Sequence, residues 1–309
     1  MHIQRGAWAE INLDAVAHNV QMAKANLKPT TKLCAVVKAD AYGHGAVRVA
    51  QEAARNGADF FAVALLQEGV KLREAGIETP ILVLGSMLPE VAEICVRYDI
   101  SHAVFDEERL YALNAAALKL HTKAKIHIKI DTGMHRIGVH VRDAGRFAKL
   151  AASLPGIYIE GVFSHFATAD ADDKQYAAYQ FERFQEALRL IEAEGVHIPI
   201  RHIANSAALT ELQEYQLDMV RQGITLYGLH PAHMIDCYKD FEPVMTVKTQ
   251  VAFVKTLPPG ETIGYGRTYT LTRPSVIATV PIGYADGVSR RLSNRGYMLV
   301  NGKKAPIIG

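Results

Sequence analysis

The chain has no stretch approaching the ~18 consecutive apolar residues that would span a bilayer. Its opening, "MHIQRGAWAEINLD", lacks the apolar segment of a secretory signal. A soluble, cytoplasmic protein is expected, with no membrane partner. Charge of one sign is also missing: 34 Lys+Arg stand against 32 Asp+Glu, a formal net charge of +2, so there is no basic field to hold a polyanion and nucleic acid is not expected as a partner. Cysteine is scarce. Cys34, Cys95 and Cys237 are odd in number, far apart and free of CxxC spacing, which argues against a disulfide frame and a zinc site. They read as small buried hydrophobes, and no bound metal is expected. Low-complexity segments are absent as well.

What is present is a regular alternation. A first helix is expected over about Leu13 to Asn26, with Leu13, Val16, Val20 and Ala23 at helical spacing behind Asn12 or Asp14 as a cap. Eight short apolar runs bounded by turn residues follow, at Leu33–Val37, Phe60–Ala64, Ile81–Leu84, Ala103–Phe105, Ile126–Ile130, Tyr158–Phe163, Ile200–Ala204 and Met219–Val220. Amphipathic stretches separate them, the longest being Lys174–Gly195, where Tyr176, Phe181, Phe184, Leu188 and Ile191 fall near one face. Eight strand–helix repeats imply an α/β fold, an eight-stranded parallel (β/α)8 barrel. The character changes near Phe241, beyond which β-branched residues alternate with period two between Pro and Gly turns. The expected division is therefore a barrel over 1–240 and a mostly β domain over 241–309, with the first ten or so residues candidates to join the latter.

In a parallel barrel the active site lies at the C-terminal ends of the strands. The polar residues there are Lys38 after the first run, Lys129 and Asp131 at the fifth, Ser164 and His165 at the sixth, His202, Asn205 and Ser206 at the seventh, and Arg221 and Gly223 at the eighth. Two lysines, two histidines and an arginine aimed into one mouth repel each other unless an anion sits among them, and a phosphorylated, carboxylated ligand would satisfy the set. "RQGITLYG" places Gly223 and Ile224 at a strand-to-helix turn whose free N–H groups suit a phosphate, and Ser206 in "ANSAA" stands similarly. Most lysines are solvated surface residues. Lys38, however, follows "LCAVV", a run apolar enough for a barrel wall, so its amine would enter a low-dielectric mouth where its pKa falls. Such an amine is a Schiff-base candidate, and pyridoxal phosphate needs one lysine and one phosphate cradle.

Seven segments, "AVVKADAYGHG", "KIDTGMHRIG", "SHFATAD", "RHIANSAA", "VRQGITLYG", "TIGYGRTY" and "VPIGYADG", resemble the signature segments of bacterial alanine racemases, in order and over essentially the whole chain. The resemblance implies a pyridoxal 5'-phosphate enzyme, an isomerase that interconverts L- and D-alanine and supplies D-alanine for peptidoglycan, working as a homodimer with shared active sites. By that resemblance Lys38 carries the cofactor and is one catalytic base, and Tyr265, from the partner subunit, is the other. Arg221 faces the pyridine nitrogen, and His165 and His202 stand around Arg221 and the tyrosine base. Tyr42, Ser206, Gly223 and Ile224 hold the phosphate, and Asn205 belongs to the same cofactor-binding set. Arg136 helps bind the substrate carboxylate, Lys129 is a lysine often carbamylated in the family, and Tyr284 is an entrance tyrosine. The β domain reads as ending before the family's usual C-terminus, with a methionine segment and a late tyrosine missing.

The chemistry agrees with these assignments. Racemisation removes the α-proton from one face and returns one to the other, so two bases on opposite sides are required, and a lysine with a tyrosine meets that need. A free tyrosine titrates near ~10, so nearby positive charge, such as Arg221 with His165, must lower it. An arginine at the pyridine donates but hardly protonates, leaving a weaker electron sink than a carboxylate would. Three readings stay open: an alanine racemase, or a serine or broad-specificity racemase of the same kind; a non-catalytic pyridoxal-phosphate-binding homeostasis protein; and a decarboxylase, which would carry an acidic residue where Arg221 stands.

Overall fold

A computed structural model describes residues 6–231 and 238–309, so Cys237 lies outside the described residues. The chain divides into two compact units, Asn12–Val244 and, together, the residues up to Ile11 with Met245–Gly309. Phe241 and Val244 are buried, and Val244 donates its N–H to Tyr227 O at 3.2 Å while Glu242 N–H is held by Asn19 Oδ1 at 2.8 Å, which is why 241–244 packs with the first unit.

Of the strands β1 (Ala7–Ile11), β2 (Lys32–Val36), β3 (Phe60–Val63), β4 (Ile81–Val83), β5 (Ser101–Val104), β6 (Ala124–Asp131), β7 (Val139–His140), β8 (Ile157–Phe163), β9 (Ile200–His202) and β10 (Met219–Gln222), all but β1 belong to the first unit. They pair in parallel in the order β10-β2-β3-β4-β5-β6-β8-β9, with the short β7 beside the end of β6. Two backbone hydrogen bonds, Asp218 N–H to Arg201 O and Arg221 N–H to Ala204 O, both 3.1 Å, join β9 to β10 and bring the eight-stranded sheet round into a barrel. All eight apolar runs are strands. Their residues are almost wholly buried because a parallel sheet with helices outside faces solvent on neither side. Val36, Phe60, Ala62, Leu82, Ile200 and Met219 pack together in one buried cluster of the barrel.

The first helix runs Leu13–Ala25, started by Asn12, whose Oδ1 accepts the N–H groups of Asp14 and Ala15, a cap that contributes about 1 kcal/mol. The long helix Gln175–Ala193 buries Ala177, Gln180, Phe184, Ala187 and Ile191. Its inward face is rotated from the expected one: Tyr176 is exposed, and the polar Gln180 takes the buried position because its amide accepts from Ala167 N–H at 2.8 Å and donates to His165 O at 3.1 Å.

The second unit is strand-rich. In it β1 pairs antiparallel with β11 (Met245–Thr249), β12 (Phe253–Leu257) with β15 (Ser275–Thr279), β13 (Thr262–Ile263) with β14 (Tyr269–Thr270), and β16 (Tyr297–Val300) with β17 (Lys303–Pro306). No helix among the described residues is long and apolar enough to cross a membrane.

Candidate active site

Lys38 follows β2, and what comes after it is a left-handed turn. Ala39, Asp40, Ala41 and Tyr42 all hold φ between 52° and 56°. Left-handed helical backbone costs L-residues about 1–2 kcal/mol each, so a run of four must be held by its surroundings. Glu68 accepts the N–H of Ala39 at 2.6 Å, the carboxylate of Asp40 accepts the N–H of Ala46 at 3.0 Å, and the Nδ1 of His44 lies 2.9 Å from Ala41 O. Tyr227 stacks beside Tyr42 and His44, with ring centroids 5.2 Å and 4.5 Å away, and donates its hydroxyl to Val36 O at 2.8 Å. Asp40 and His44 are thus parts of the turn that aims Lys38 and Tyr42 at the same cavity.

That cavity, about 580 Å³, opens at the C-terminal ends of the strands and is lined by Lys38, Tyr42, Lys129, Arg136, His165, Asn205, Ser206, Arg221, Gly223 and Ile224 among others. Among the described residues, four cationic side chains therefore share it with a single carboxylate, Asp170. Burial first, then Arg136, lowers the Lys38 amine below the usual lysine range, against the pull of Glu68. Lys129, deeper and only 3% exposed, is pushed down to about 7 by burial and then by Arg221. Its amine donates to Ile130 O at 2.8 Å. The loop after β6 brings Arg136 to the cavity rim: Asp131 Oδ1 accepts the N–H groups of Gly133 and His135, both at 3.0 Å, and Gly138 closes the loop at φ 137° against the backbone of Asp131.

One end of the cavity gathers hydroxyls and bare backbone. Ser206 Oγ accepts the N–H of Gly223 at 2.7 Å. A Cβ placed on Gly223 would stand 3.5 Å from Ser206 Oγ and 3.8 Å from the Tyr42 hydroxyl, so two hydroxyls and bare backbone converge on space that a side chain would fill. Asn205 lines the cavity too, while its Oδ1 caps the helix Ser206–Glu211 by accepting Ala208 N–H at 3.1 Å. The element that follows Gly223 is a four-residue 3₁₀ turn, Ile224–Tyr227, stopped by Gly228 at φ 70°, so backbone N–H groups and hydroxyls carry the cradle and a long helix dipole does not.

Arg221 is buried at the other side, with His202 Nδ1 at 2.7 Å, His165 Nδ1 at 3.0 Å, Ser164 O at 2.9 Å and Ile203 O at 3.0 Å as its acceptors. Burial lowers the guanidinium to about 10, still protonated at neutral pH, and burial followed by Arg221 itself holds His165 and His202 well below the imidazole range, hence neutral. His202 is not among the cavity's lining residues; it stands behind Arg221. Three further residues behind the site carry no sequence signal of their own. His127 Nδ1 lies 2.9 Å from His202 Nε2, His127 Nε2 lies 3.0 Å from Glu160 Oε2, and the Ser101 hydroxyl donates to the same carboxylate oxygen.

Tyr265 and Tyr284 belong to the second unit and are exposed; neither lines this cavity.

Comparison with known proteins gives one consistent result. The model of the alanine racemase N-terminal domain matches residues 11–231, and that of the alanine racemase C-terminal domain matches residues 244–309. Alanine racemase of Desulfovibrio desulfuricans is 46% identical over 305 residues, covering 99% of this chain and 82% of its own length. That of Halothermothrix orenii is 47% identical over 307 residues, with 99% and 81% covered. Among solved structures, alanine racemase of Clostridium difficile 630 superposes with a TM-score of 0.94 at 39% identity, covering 100% of this chain and 81% of that one. The Bacillus anthracis enzyme with bound L-Ala-P gives a TM-score of 0.92 at 38% identity, with 100% and 80% covered.

Proposed function

The chain belongs to the alanine racemase family, and from that premise we propose how its residues divide the work. The protein is an isomerase that interconverts L- and D-alanine. The family implies pyridoxal 5'-phosphate, and the cavity's donor set fits that group: a cradle of Tyr42 and Ser206 hydroxyls around Gly223, a desolvated amine at Lys38, and a protonated guanidinium at Arg221. When bound, the cofactor supplies a covalent hold on the substrate nitrogen and an electron sink for the α-carbon.

Lys38 is the residue that carries the cofactor and the base on one face. Its lowered pKa leaves more of the amine unprotonated near neutral pH, which both attachment and proton abstraction need. Tyr265 is the base on the other face, contributed by a second copy of the chain. It is 89% exposed on its own unit, too open to be explained as a packing residue there. The working form is accordingly a homodimer with shared sites. Arg136 would hold the substrate carboxylate at the rim and Arg221 would donate to the pyridine nitrogen without giving up its proton, while family membership makes Tyr284 an entrance tyrosine. Lys129, with its amine brought to about 7, can add carbon dioxide: an N–C bond forms, a proton leaves to water, and the carbamate answers the positive charge of Arg136. D-Alanine made this way supplies peptidoglycan, and the cytoplasm is the compartment where that supply is needed.

The observation that carries this reading is the convergence of one desolvated lysine and one side-chain-free cradle on a cavity that, among the described residues, has four cations and one carboxylate. The test is chiral analysis of the purified protein with pyridoxal phosphate and L-alanine in deuterium oxide. D-Alanine deuterated at the α-carbon is expected; release of carbon dioxide, or a coloured protein that leaves alanine untouched, would overturn it.

A further inference from the structure

Among the described residues, the buried guanidinium of Arg221 has no carboxylate as a hydrogen-bond partner. A buried charge without a counter-charge is costly, so the compensation must come from further away. Arginine has only donors, so the Nδ1 of His202, 2.7 Å from Nη1, must accept, and the His202 proton is on Nε2. That N–H points at His127 Nδ1, 2.9 Å away, which must then accept in turn. His127 keeps its proton on Nε2, where it meets Glu160 Oε2 at 3.0 Å. An imidazolium at His127 would set two N–H groups against each other across the 2.9 Å contact, so a simple His127–Glu160 ion pair is excluded while Arg221 stays in place.

The backbone is shaped to make this line. The pairing of β6 with β8 shifts at Ile126/His127: Ile126 faces Ile159 and His127 faces Gly161, which leaves Glu160 as the extra residue of a bulge. Glu160 thereby shares the barrel interior with His127 and Ser101. Gly161 leaves room for the imidazole: a Cβ there would lie 2.4 Å from His127 Nδ1. Four residues on four strands, Glu160 on β8, His127 on β6, His202 on β9 and Arg221 on β10, are thus set so that one carboxylate reaches Arg221 through two neutral rings of fixed tautomer.

We propose that Glu160, acting through His127 and His202, is the counter-charge of Arg221, and that this relay fixes which N–H groups the guanidinium keeps for the cavity. His202 and Arg221's three other acceptors take one Nη1–H and the Nη2 hydrogens, so the second Nη1–H and the Nε–H are the donors that remain. Glu160, His127 and His202 are positioning residues, and what they position is the donor offered to the pyridine nitrogen, in which respect the inference rests on the function proposed above.

The test begins on the cofactor-free protein, by nitrogen-15 and proton NMR of labelled histidine. Both His202 and His127 are expected as Nε2–H tautomers with strongly downfield N–H protons. Glu160→Gln removes the charge and keeps the shape, and both protons should move upfield, the one on His202 included although it does not touch residue 160. In the cofactor-loaded enzyme the same variant should lower kcat on the order of tenfold with KM little changed. If Glu160→Gln does not fold, the His202 proton is read in His127→Gln, which cuts the relay one step nearer Arg221. A His202 proton that stays put in the variant, or an Nδ1–H tautomer at His202 in the parent, overturns the relay. Because that reading needs no cofactor, it separates failure of the relay from failure of the proposed function.

Discussion

Ser206 Oγ and the backbone nitrogen of Gly223 are 2.7 Å apart, and the space beside them is bounded by the Tyr42 hydroxyl. The tie joins the loop after β9 to the loop after β10 and sets the Ser206 hydroxyl beside the bare backbone of Gly223. Gly223→Ala adds a methyl to the cradle, 3.5 Å from Ser206 Oγ and 3.8 Å from the Tyr42 hydroxyl. Its Cβ would occupy space the phosphate needs. Losing one or two hydrogen bonds to a charged group costs ~1.5–3 kcal/mol, so Gly223→Ala and Ser206→Ala should each weaken pyridoxal phosphate binding roughly 10- to 100-fold, measured by titrating the cofactor's absorbance.

Lys129 gives a pH dependence with a definite sign. Burial brings its amine down to about 7 in the folded protein against 10.5 for a free lysine, so between those values the unfolded chain binds a proton that the folded one does not. Stability from this group therefore rises as pH increases from about 7 toward 10.5. Urea denaturation at neutral and mildly alkaline pH should show that rise in the wild type under carbon-dioxide-free buffer, and Lys129→Met should flatten it. Carbon-13 bicarbonate should produce a carbamate resonance in the wild type that the variant lacks.

Gly138 closes the loop that carries Arg136, at φ 137°, where a Cβ would lie 2.5 Å from the backbone nitrogen of Asp131. Backbone cannot yield as a side chain can. Gly138→Ala should cost roughly 3 kcal/mol or more in stability by urea titration, and KM for alanine should rise as Arg136 leaves its place.

Cys34 and Cys95 are buried, and burial raises both thiols to about 12. Neither should be alkylated by iodoacetamide in the native protein at neutral pH, and both should be in denaturant, as peptide mapping can record.

The barrel was legible in the sequence because its wall strands are short apolar runs separated by amphipathic helices, and Lys38, Lys129, His165, Ser206 and Arg221 were legible because each stands where a run ends. Three features were not. His127 lies between Ile126 and Ile128, and Glu160 between Ile159 and Gly161, positions that strict alternation gives no reason to turn toward each other; the bulge that does so is a register event with no period of its own. The left-handed turn at 39–42 has no glycine among its four residues, and it is imposed by distant partners such as Glu68 and Tyr227. On the helix Gln175–Ala193, Phe184 and Ile191 are buried as expected, and Gln180 was not legible because it is buried by its hydrogen bonds rather than by its hydropathy.

The account turns on Lys38 as the residue that carries the cofactor. Borohydride reduction of the protein with pyridoxal phosphate, followed by proteolysis and mass spectrometry, should place the reduced adduct on Lys38 in the peptide containing "AVVKADAYGHG", and Lys38→Ala should carry none and form no D-alanine. An adduct on Lys129 or any other lysine, with Lys38 unlabelled, would contradict it.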